Sequence, residues 1–259
     1  MTERSQAESP GQGLCIDVFT LFPGIFAGPL DESILRRAQD RALVKIALHD
    51  IRDWTTDKHR TADDTPYGGG AGMVMTAPPI VSAVEEILAD ELSESRILVM
   101  SAAGRPFTQA TAHELIAARR IALICGRYEG IDARVIDILG AEEVSIGDFV
   151  LTGGELAAAV LIDAVTRLIP GVIESASIAD ESFQQPLLEY PQYTRPREYR
   201  GIAVPEILLN GNHAAINRWR REAALLKTAL VRPDLLDRLA LSAIEAEFVD
   251  DVLSEHAQP

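Results

Sequence analysis

Two glycine-rich loops contain the residues of this chain that are best suited to chemistry. The first is Gly126-Arg127-Tyr128-Glu129-Gly130-Ile131-Asp132, and the second runs from Ser145 to Leu156 with the sequence SIGDFVLTGGEL. Each loop follows a short apolar run. Because glycine has no Cβ, the backbone of such loops can approach a ligand closely and offer it free N–H and C=O groups. The pair is suited to a flat heterocycle such as adenine, bound at the ends of two neighbouring strands.

Two common nucleotide-binding patterns are absent from the sequence. A conventional dinucleotide-binding domain has G-x-G-x-x-G directly after its first strand, whereas here the first strand runs into LFPGIF at residues 21–26. The segment GGGAG at residues 68–72 has no Lys-Ser or Lys-Thr after it to hold phosphate and magnesium. The sequence therefore argues against a kinase or an ATPase.

The charge of the chain argues against a protein that coats nucleic acid without specificity. The net charge is −15, with 15 basic and 28 acidic residues in 1–186 and 9 basic and 11 acidic residues in 187–259. Neutralising phosphates requires accessible Lys and Arg. A basic cluster nevertheless occurs in the C-terminal part, opposed locally only by Glu222, and comprises Arg218, Arg220, Arg221, Lys227 and Arg232. It is either a site for one defined partner or an ordinary solvated helix face.

The sequence indicates a soluble protein. No apolar run approaches the roughly 20 residues that cross a bilayer. The first segment, MTERSQAESPGQG, lacks the apolar centre of a signal peptide, so we expect a cytoplasmic location. Cys15 and Cys125 both lie in apolar runs and form no metal-ligand pattern. We therefore expect two buried structural thiols.

Strands and helices alternate through the first two thirds of the chain. The predicted strands are Leu14–Phe19, Val44–His49, Ile97–Met100, Ile121–Cys125 and Glu142–Ser145. The predicted helices are Ser33–Arg41, Pro78–Leu92 with Thr76 as its cap, Thr108–Arg119, Ile131–Leu139 and Glu155–Leu168. Such alternation predicts an α/β fold with a parallel sheet covered on both faces. The polar segment from Asp53 to Gly72 is too long for a simple connection and is either a functional loop or disordered.

The composition divides the chain into four parts. They are a disordered tail over 1–13, an α/β domain over 14–172, a mobile linker over 173–186 and a small helical domain over 187–259. The linker loses periodicity and gathers Ser, Asp, Glu and Gln. Two helices are predicted after it, Ala214–Thr228 and Ser242–Ala257. Ser242 and Glu245 have the spacing of a capping box at the start of the second helix.

Short motifs in both domains resemble the bacterial tRNA (guanine-N1)-methyltransferase family. Besides the two glycine-rich loops, they are Leu21-Phe22-Pro23, His59-Arg60-Thr61, Asp63-Asp64, Pro66-Tyr67-Gly68-Gly69-Gly70, Leu161-Ile162-Asp163, Arg167, Ile169-Pro170-Gly171-Val172, Tyr193-Thr194-Arg195-Pro196, Val204-Pro205, Gly211-Asn212-His213 and Arg218-Trp219-Arg220. A match of this extent is very specific. The resemblance implies transfer of a methyl group from S-adenosyl-L-methionine to N1 of the guanosine immediately 3′ of the tRNA anticodon.

The resemblance also implies an architecture and a set of ligands. The α/β domain would contain the trefoil knot of the SPOUT class, the protein would be an obligate homodimer, and the chemistry would depend on Mg²⁺ at a site that the sequence does not indicate. The positions that match the family's cofactor pocket are Met100, Ser101, Gly126, Tyr128, Glu129, Gly130, Ile146, Gly147, Phe149, Leu151, Gly153, Gly154 and Ala157. Phe149 and Ala157 stand where the family commonly has Tyr and Pro.

The chemistry of guanine sets what the catalytic residues must do. Guanine N1 carries a proton near neutral pH, so its methylation needs a general base and a donor or cation for the charge that develops at O6. By resemblance the cation is Arg167, and the alternatives for this residue are an ordinary surface position on a helix or an i,i+4 ion pair with Asp163. The family's base is an Asp directly before Ser-Phe, where this chain has Glu181, with Asp180 one residue earlier. The sequence leaves the choice between these two carboxylates open.

The resemblance further implies which residues contact tRNA. They are His59, Arg60, Asp63, Gly72, His213, Arg218 and Arg220. The planar fork of arginine is suited to phosphate, and single-stranded bases of an anticodon loop can be drawn into a pocket. Two alternatives remain open at this point. They are a catalytically silent tRNA-binding paralogue and a knotted methyltransferase that acts on another RNA.

Overall fold

A computed structural model describes residues 13–174 and 181–256 of the chain. The chain divides into two compact units, Met1–Glu174 and Ser175–Pro259. Of the predicted tail only Gly13 is described, and of the predicted linker only residues 173–174 and 181–186. No helix in the described ranges is long and apolar enough to cross a membrane.

The first unit is built on the parallel sheet that the sequence predicts. Its strands lie in the order β2-β1-β6-β5-β7, and every neighbouring pair is parallel. The strands are β1 (Leu14–Thr20), β2 (Val44–Asp50), β5 (Arg96–Pro106), β6 (Arg120–Cys125) and β7 (Glu142–Ser145). The short strands β3 (Asp63–Asp64) and β4 (Val74–Met75) form a separate antiparallel pair. The α/β class is therefore confirmed.

Five helices cover the two faces of this sheet. They are α1 (Ser33–Asp40), α2 (Ala77–Leu88), α3 (Gln109–Leu115), α4 (Arg134–Leu139) and α5 (Glu155–Thr166). Helices α2 and α4 contact each other, whereas α1 and α3 both contact α5. In β6, Ala122 and Ile124 pack with α2 and α4, and the intervening Leu123 is buried outside that cluster. Since successive side chains of a strand point to opposite faces, β6 is buried on both sides, as the apolar run predicts.

Several boundaries differ from the sequence prediction for local reasons. Strand β5 continues to Pro106 through a register shift between Met100 and Arg105, so it is longer than the apolar run that revealed it. Helix α2 ends at Leu88 because Ala89 has a φ of +45°, and a 3-10 helix follows. Thr76 occupies the N-cap position of α2 but does not cap it with its side chain. Its hydroxyl instead donates to the carbonyl of Ala62.

The second unit is helical and includes one small β-hairpin. Its helices are α6 (His213–Val231) and α7 (Ala243–His256), and the hairpin pairs β8 (Glu198–Tyr199) with β9 (Ile202–Ala203). The hydrophobic core of this unit comprises Leu187, Ala224, Leu225, Ala229, Leu236, Val249 and Val252. The capping box of α7 is confirmed, since the Ser242 amide donates to the Glu245 carboxylate at 2.8 Å and the Glu245 amide donates to Ser242 Oγ at 3.3 Å.

The two cysteines differ in their surroundings. Cys125 is fully buried at the end of β6, and burial raises the pKa of its thiol well above the usual value. Cys15 is only partly buried, so the expectation of two buried thiols is wrong for this residue. It is the second residue of β1 and the only one in that strand that is not buried.

Candidate functional site

The carboxyl ends of β6 and β7 and the middle of β5, at its register shift, surround a cavity of about 470 Å³. These strands are parallel, so their ends meet at one edge of the sheet, which is the usual ligand site of an open α/β fold. All thirteen positions that match the family's cofactor pocket line this cavity: Met100, Ser101, Gly126, Tyr128, Glu129, Gly130, Ile146, Gly147, Phe149, Leu151, Gly153, Gly154 and Ala157. The structure thus brings together residues that are spread over 58 positions of the sequence, from 100 to 157.

Backbone contacts join the two glycine-rich loops. The Gly154 amide donates to the Gly126 carbonyl at 2.9 Å, and Arg127 and Gly153 form an antiparallel bridge. A Cβ on Gly154 would lie 2.9 Å from both Met100 Cβ and Cys125 Cα. Gly154 has ordinary helical dihedrals, so glycine is required there because of space and not because of backbone conformation. The start of α5 therefore packs closely against the end of β6 and against Met100, beside the cavity.

The second loop folds back over the cavity at Gly147. This residue has a φ of +148°, and a Cβ there would lie 2.6 Å from the ring of Phe149. The Phe149 amide donates to the Gly147 carbonyl at 2.9 Å, and Ser145 Oγ contacts both the amide and the carbonyl of Gly147. The tight turn places the half-exposed Phe149 ring at the cavity wall, where it can pack against a flat ligand.

A buried ion pair, which the sequence analysis did not identify, fixes the first loop to the start of α5. Arg127 Nε donates to Glu155 Oε1 at 3.0 Å, and Oε2 lies at the same distance. Glu155 is only 1% exposed and also accepts a hydrogen bond from Thr20 Oγ1 at 2.7 Å. Arg127 Nη1 donates to the carbonyl of Thr152 at 3.2 Å. Both charged residues lie within the two recognised loops, so a search for opposite charges between those loops would have found the pair.

The ring of Phe22 lies next to two guanidinium groups. The Arg127 group is 4.7 Å from its centroid and the Arg52 group is 5.2 Å from it. These are cation–π distances. Arg52 also accepts a hydrogen bond from Arg60 Nε on its carbonyl at 3.2 Å, and Arg60 forms an ion pair with Asp53. Arg60, which the resemblance assigns to tRNA binding, therefore contacts residues 52–53, and Arg52 in turn contacts Phe22.

The segment that contains His59, Asp63 and Gly72 ends beside the cavity. Asp63 pairs with Met75 across β3 and β4, and the Met75 amide donates to the Gly130 carbonyl at 2.9 Å. A Cβ on Gly72, which has a φ of +84°, would lie 2.5 Å from the Glu129 carboxylate. His59 is exposed, and its amide donates to the Asp57 carboxylate at 2.8 Å. Asp63 and Gly72 are therefore next to the first glycine-rich loop.

Arg167 lies directly after the last turn of α5 and is partly buried. Its amide donates to the Asp163 carbonyl at 3.1 Å. Positions 156, 160, 163 and 167 recur with helical spacing, so Arg167 continues the side of α5 that carries Leu156 and Val160. Leu156 is 55% exposed and Val160 is 48% exposed.

Of the two candidate bases, only Glu181 lies in the described part of the chain. Glu181 is partly buried and lines a cavity of about 400 Å³ within that unit, together with Tyr190, Asn217 and Arg220. Asp180 lies outside the described residues. The choice between the two carboxylates that the sequence left open therefore stays open.

Helix α6 separates the predicted tRNA residues of the second unit. Arg218 is exposed, whereas Arg220 is partly buried, with its guanidinium 5.0 Å from the centroid of Tyr190. Side chains two positions apart on a helix are rotated by about 200° about its axis, so Arg218 and Arg220 point to opposite sides of α6. His213 is exposed at the first position of the helix.

The basic cluster of the sequence analysis is partly neutralised in the folded protein. Arg221 pairs with Glu245 at 2.7 Å and Arg232 pairs with Asp234 at 2.7 Å. The partners lie 24 and 2 positions away in sequence, and the sequence analysis, which counted only Glu222 against the cluster, missed both of them. The Arg221 side chain lowers the pKa of Glu245 to about 2. Of the five cluster residues, Arg218 is exposed and Arg220 contacts Tyr190.

The described residues contain no cluster of three or more His, Cys, Asp or Glu side chains that could hold a metal ion. Residues 13–174 and 181–256 therefore show no site of three or more such ligands for the Mg²⁺ that the resemblance implies.

A protein-family model and several known proteins match most of the chain. The family model described as tRNA (Guanine-1)-methyltransferase TrmD matches residues 14–238. A tRNA (guanine-N(1)-)-methyltransferase of Thermomicrobium roseum is 64% identical over 90% of this chain and 87% of its own length. Proteins of the same name are 54% identical in Chloroflexus aggregans, over 88% of this chain and 89% of theirs, and 50% identical in Dehalococcoides mccartyi, over 93% and 97%.

Proposed function

The chain belongs to the tRNA (guanine-N1)-methyltransferase family and is an S-adenosyl-L-methionine-dependent enzyme of tRNA modification, and we propose that its target is the guanosine immediately 3′ of the anticodon. Family membership implies a SPOUT knot in the sheet unit. Family membership also makes a catalytically silent paralogue and an enzyme for another RNA the less favoured alternatives.

One observation supports the cofactor site above all others. Both glycine-rich loops line one cavity beside the carboxyl ends of β6 and β7, and Gly154 is packed so closely against Met100 and Cys125 that a Cβ there would not fit. We infer that the adenosyl group lies in this cavity between the loops. When bound, S-adenosyl-L-methionine supplies an electrophilic methyl group on a sulfonium.

The roles of the catalytic residues follow from the needs of guanine. A carboxylate accepts the N1 proton, and we assign this role to Glu181 or Asp180 of the linker. Arg167 donates hydrogen bonds to O6 and stabilises the negative charge that develops there. Glu has one methylene more than the Asp of the family pattern. The Glu181 carboxylate can therefore reach guanine N1 when its backbone lies further from the base than that of an Asp.

Two regions provide the proposed contacts with tRNA. In the first unit they are His59, Arg60, Asp63 and Gly72, whose segment ends beside the methyl-donor cavity. In the second unit they are His213, Arg218 and Arg220. Arg218, the exposed one of the two arginines, is suited to a phosphate, whereas Arg220 can act only from within its own cavity.

The proposed assembly is a homodimer that uses α5. Leu156 and Val160 form an exposed apolar stripe on this helix, and Val150 in the preceding loop is 86% exposed. Exposed apolar side chains on one side of a helix and in the loop before it favour a contact with another protein surface. A second copy of the chain would bury this surface and place residues of both copies beside Arg167.

Methyl transfer to defined acceptors tests the proposal. Labelled S-adenosyl-L-methionine is incubated with the full-length protein and two tRNA transcripts that differ only at the guanosine 3′ of the anticodon. We expect label only in the transcript that keeps this guanosine. Equal labelling of both transcripts, or tRNA binding without any labelling, contradicts the proposed target.

The same assay assigns the base. Glu181→Gln and Asp180→Asn each remove one carboxylate with little change in size, and the base is the residue whose replacement abolishes single-turnover methyl transfer. Glu85→Gln, on the exposed side of α2, is the matched control. If both linker variants retain the wild-type rate, the linker takes no part in proton removal.

A further inference from the structure

The β8–β9 hairpin of the second unit is a well-defined element with an uncovered surface. Tyr199 pairs with Ile202, and the Val204 amide donates to the Arg197 carbonyl at 2.8 Å, which extends the ladder by one residue pair. The two turn residues, Arg200 and Gly201, have φ values of +52° and +81°. Positive φ at both positions is the signature of the type I′ turn, which matches the twist of a hairpin.

One face of this hairpin combines an aromatic ring with positive charge. Side chains alternate along a strand, so Arg197 and Tyr199 lie on the same face, and Glu198 lies on the other. Tyr199 is 63% exposed and its partner Ile202 is 76% exposed. The guanidinium of Arg200 is 5.3 Å from the centroid of the Tyr199 ring.

Three arginines in the hairpin and directly before it are available to bind an anion. Arg195, Arg197 and Arg200 are all exposed. In the described part of the chain, none of the three forms an ion pair with a carboxylate, unlike Arg221 and Arg232 of the same unit. The protein as a whole has a net charge of −15, so these three arginines form a local region of positive charge.

We propose that this hairpin binds a single-stranded stretch of the tRNA substrate, with an unpaired base stacked on Tyr199 and the neighbouring phosphates contacted by Arg197 and Arg200. Exposed aromatic rings next to cations are the usual platform for single-stranded nucleic acid. Bases within a duplex stack on each other and leave no face for Tyr199, so the bound stretch is a loop or an end. The inference takes only the identity of the RNA from the proposed function.

Tyr199→Ala in the full-length protein tests the stacking contact, with an unmethylated tRNA transcript as the probe. Removing a base–aromatic stack raises Kd about fivefold or more. We expect the KM for tRNA to rise equally, whereas kcat at saturating tRNA and the Kd of S-adenosyl-L-methionine do not change. Tyr199→Phe keeps the ring and retains wild-type affinity. Unchanged tRNA binding in Tyr199→Ala, or an equal loss in Tyr199→Phe, overturns the proposal and leaves this face to a protein partner.

The salt dependence of binding tests the phosphate contacts. Each phosphate contact to a single strand contributes about 0.7 to the slope of log K against log salt. The double variant Arg197→Gln/Arg200→Gln therefore lowers the slope by about 1.4. Arg36→Gln removes one charge from the exposed side of α1 and serves as the control. A double variant with the wild-type slope, or with no more change than the control, contradicts the phosphate contacts.

The outcomes also separate this inference from the proposed function. If the wild-type protein binds tRNA but methylates no guanosine, the proposed function fails, and the binding of the Tyr199 and arginine variants still decides the role of the hairpin. If the wild-type protein methylates tRNA and the variants bind equally well, only the hairpin inference fails.

Discussion

Arg127 Nε lies 3.0 Å from both carboxylate oxygens of Glu155, and this ion pair connects the two glycine-rich loops. Glu155 is also the first residue of α5, where its negative charge is favoured by the helix N-terminus. The pair joins the end of β6 to the start of α5. Because Arg127 belongs to the first glycine-rich loop and Glu155 to the second, the pair holds the two loops next to each other.

Glu155→Gln should destabilise the first unit and weaken binding of the methyl donor. The substitution leaves the Arg127 guanidinium largely buried beside a neutral partner, and loss of one member of a buried pair costs about 3–5 kcal/mol in the free energy of unfolding. Chemical denaturation measures this loss, and calorimetry measures the Kd of S-adenosyl-L-methionine. Glu85→Gln serves as the control, because Glu85 is exposed on α2. Wild-type stability and Kd in Glu155→Gln would show that the pair does not hold the loops.

Gly154→Ala should force the start of α5 away from the end of β6 and so weaken binding of the methyl donor. The new Cβ would lie 2.9 Å from Met100 Cβ and Cys125 Cα, and the affinity for S-adenosyl-L-methionine should fall about tenfold or more. Gly24→Ala is the matched control, because no heavy atom lies within 4 Å of its added Cβ and its φ is not positive. The prediction is wrong if calorimetry finds the same Kd in Gly154→Ala and in the control.

Val160→Glu should dissociate the proposed homodimer. A charge on the apolar side of α5 must be desolvated when a second copy covers it, which disfavours association. Sedimentation should show a dimer for the wild type and a monomer for Val160→Glu, with loss of methyl transfer. Ile138→Glu is the control, since Ile138 is 56% exposed on α4. A monomeric wild type, or equal dissociation of both variants, argues against α5 as the interface.

Asp17 should make the stability of the first unit depend on acid pH. Burial works to raise its pKa, but hydrogen bonds from His49 at 2.7 Å and Arg120 at 2.8 Å outweigh burial and lower the pKa below its usual value. Because the folded state holds the proton less tightly than the unfolded chain, this contribution is full above about pH 3.9, the unfolded pKa. It is lost as the pH falls through the lowered folded pKa.

Asp17→Asn measures this contribution. At pH 7 the variant should be less stable than the wild type by about 3 kcal/mol, and the difference should shrink at pH values below the unfolded pKa. Denaturation at several pH values gives the comparison, with Asp90→Asn in an exposed 3-10 helix as the control. A difference that is constant from pH 7 to pH 3 would contradict a paired carboxylate.

The amino-acid sequence alone predicts the α/β class and the thirteen positions that line the cavity beside the two glycine-rich loops. The bounds of β6 were predicted to within one residue because its apolar run, from Ile121 to Cys125, reports burial directly. The thirteen cavity positions could be named because the two glycine-rich loops, together with Met100 and Ser101, match the family pattern. Both signals are local, so no tertiary information was needed to read them.

The tertiary structure decided which distant residues meet. The sheet order puts β6 between β1 and β5, and this order brings Thr20, Arg127 and Glu155 together from positions that no periodicity connects. The same holds for Arg221, which is neutralised by Glu245 of another helix. Charge pairing and packing depend on distance in space, and the sequence specifies that distance only through the whole fold.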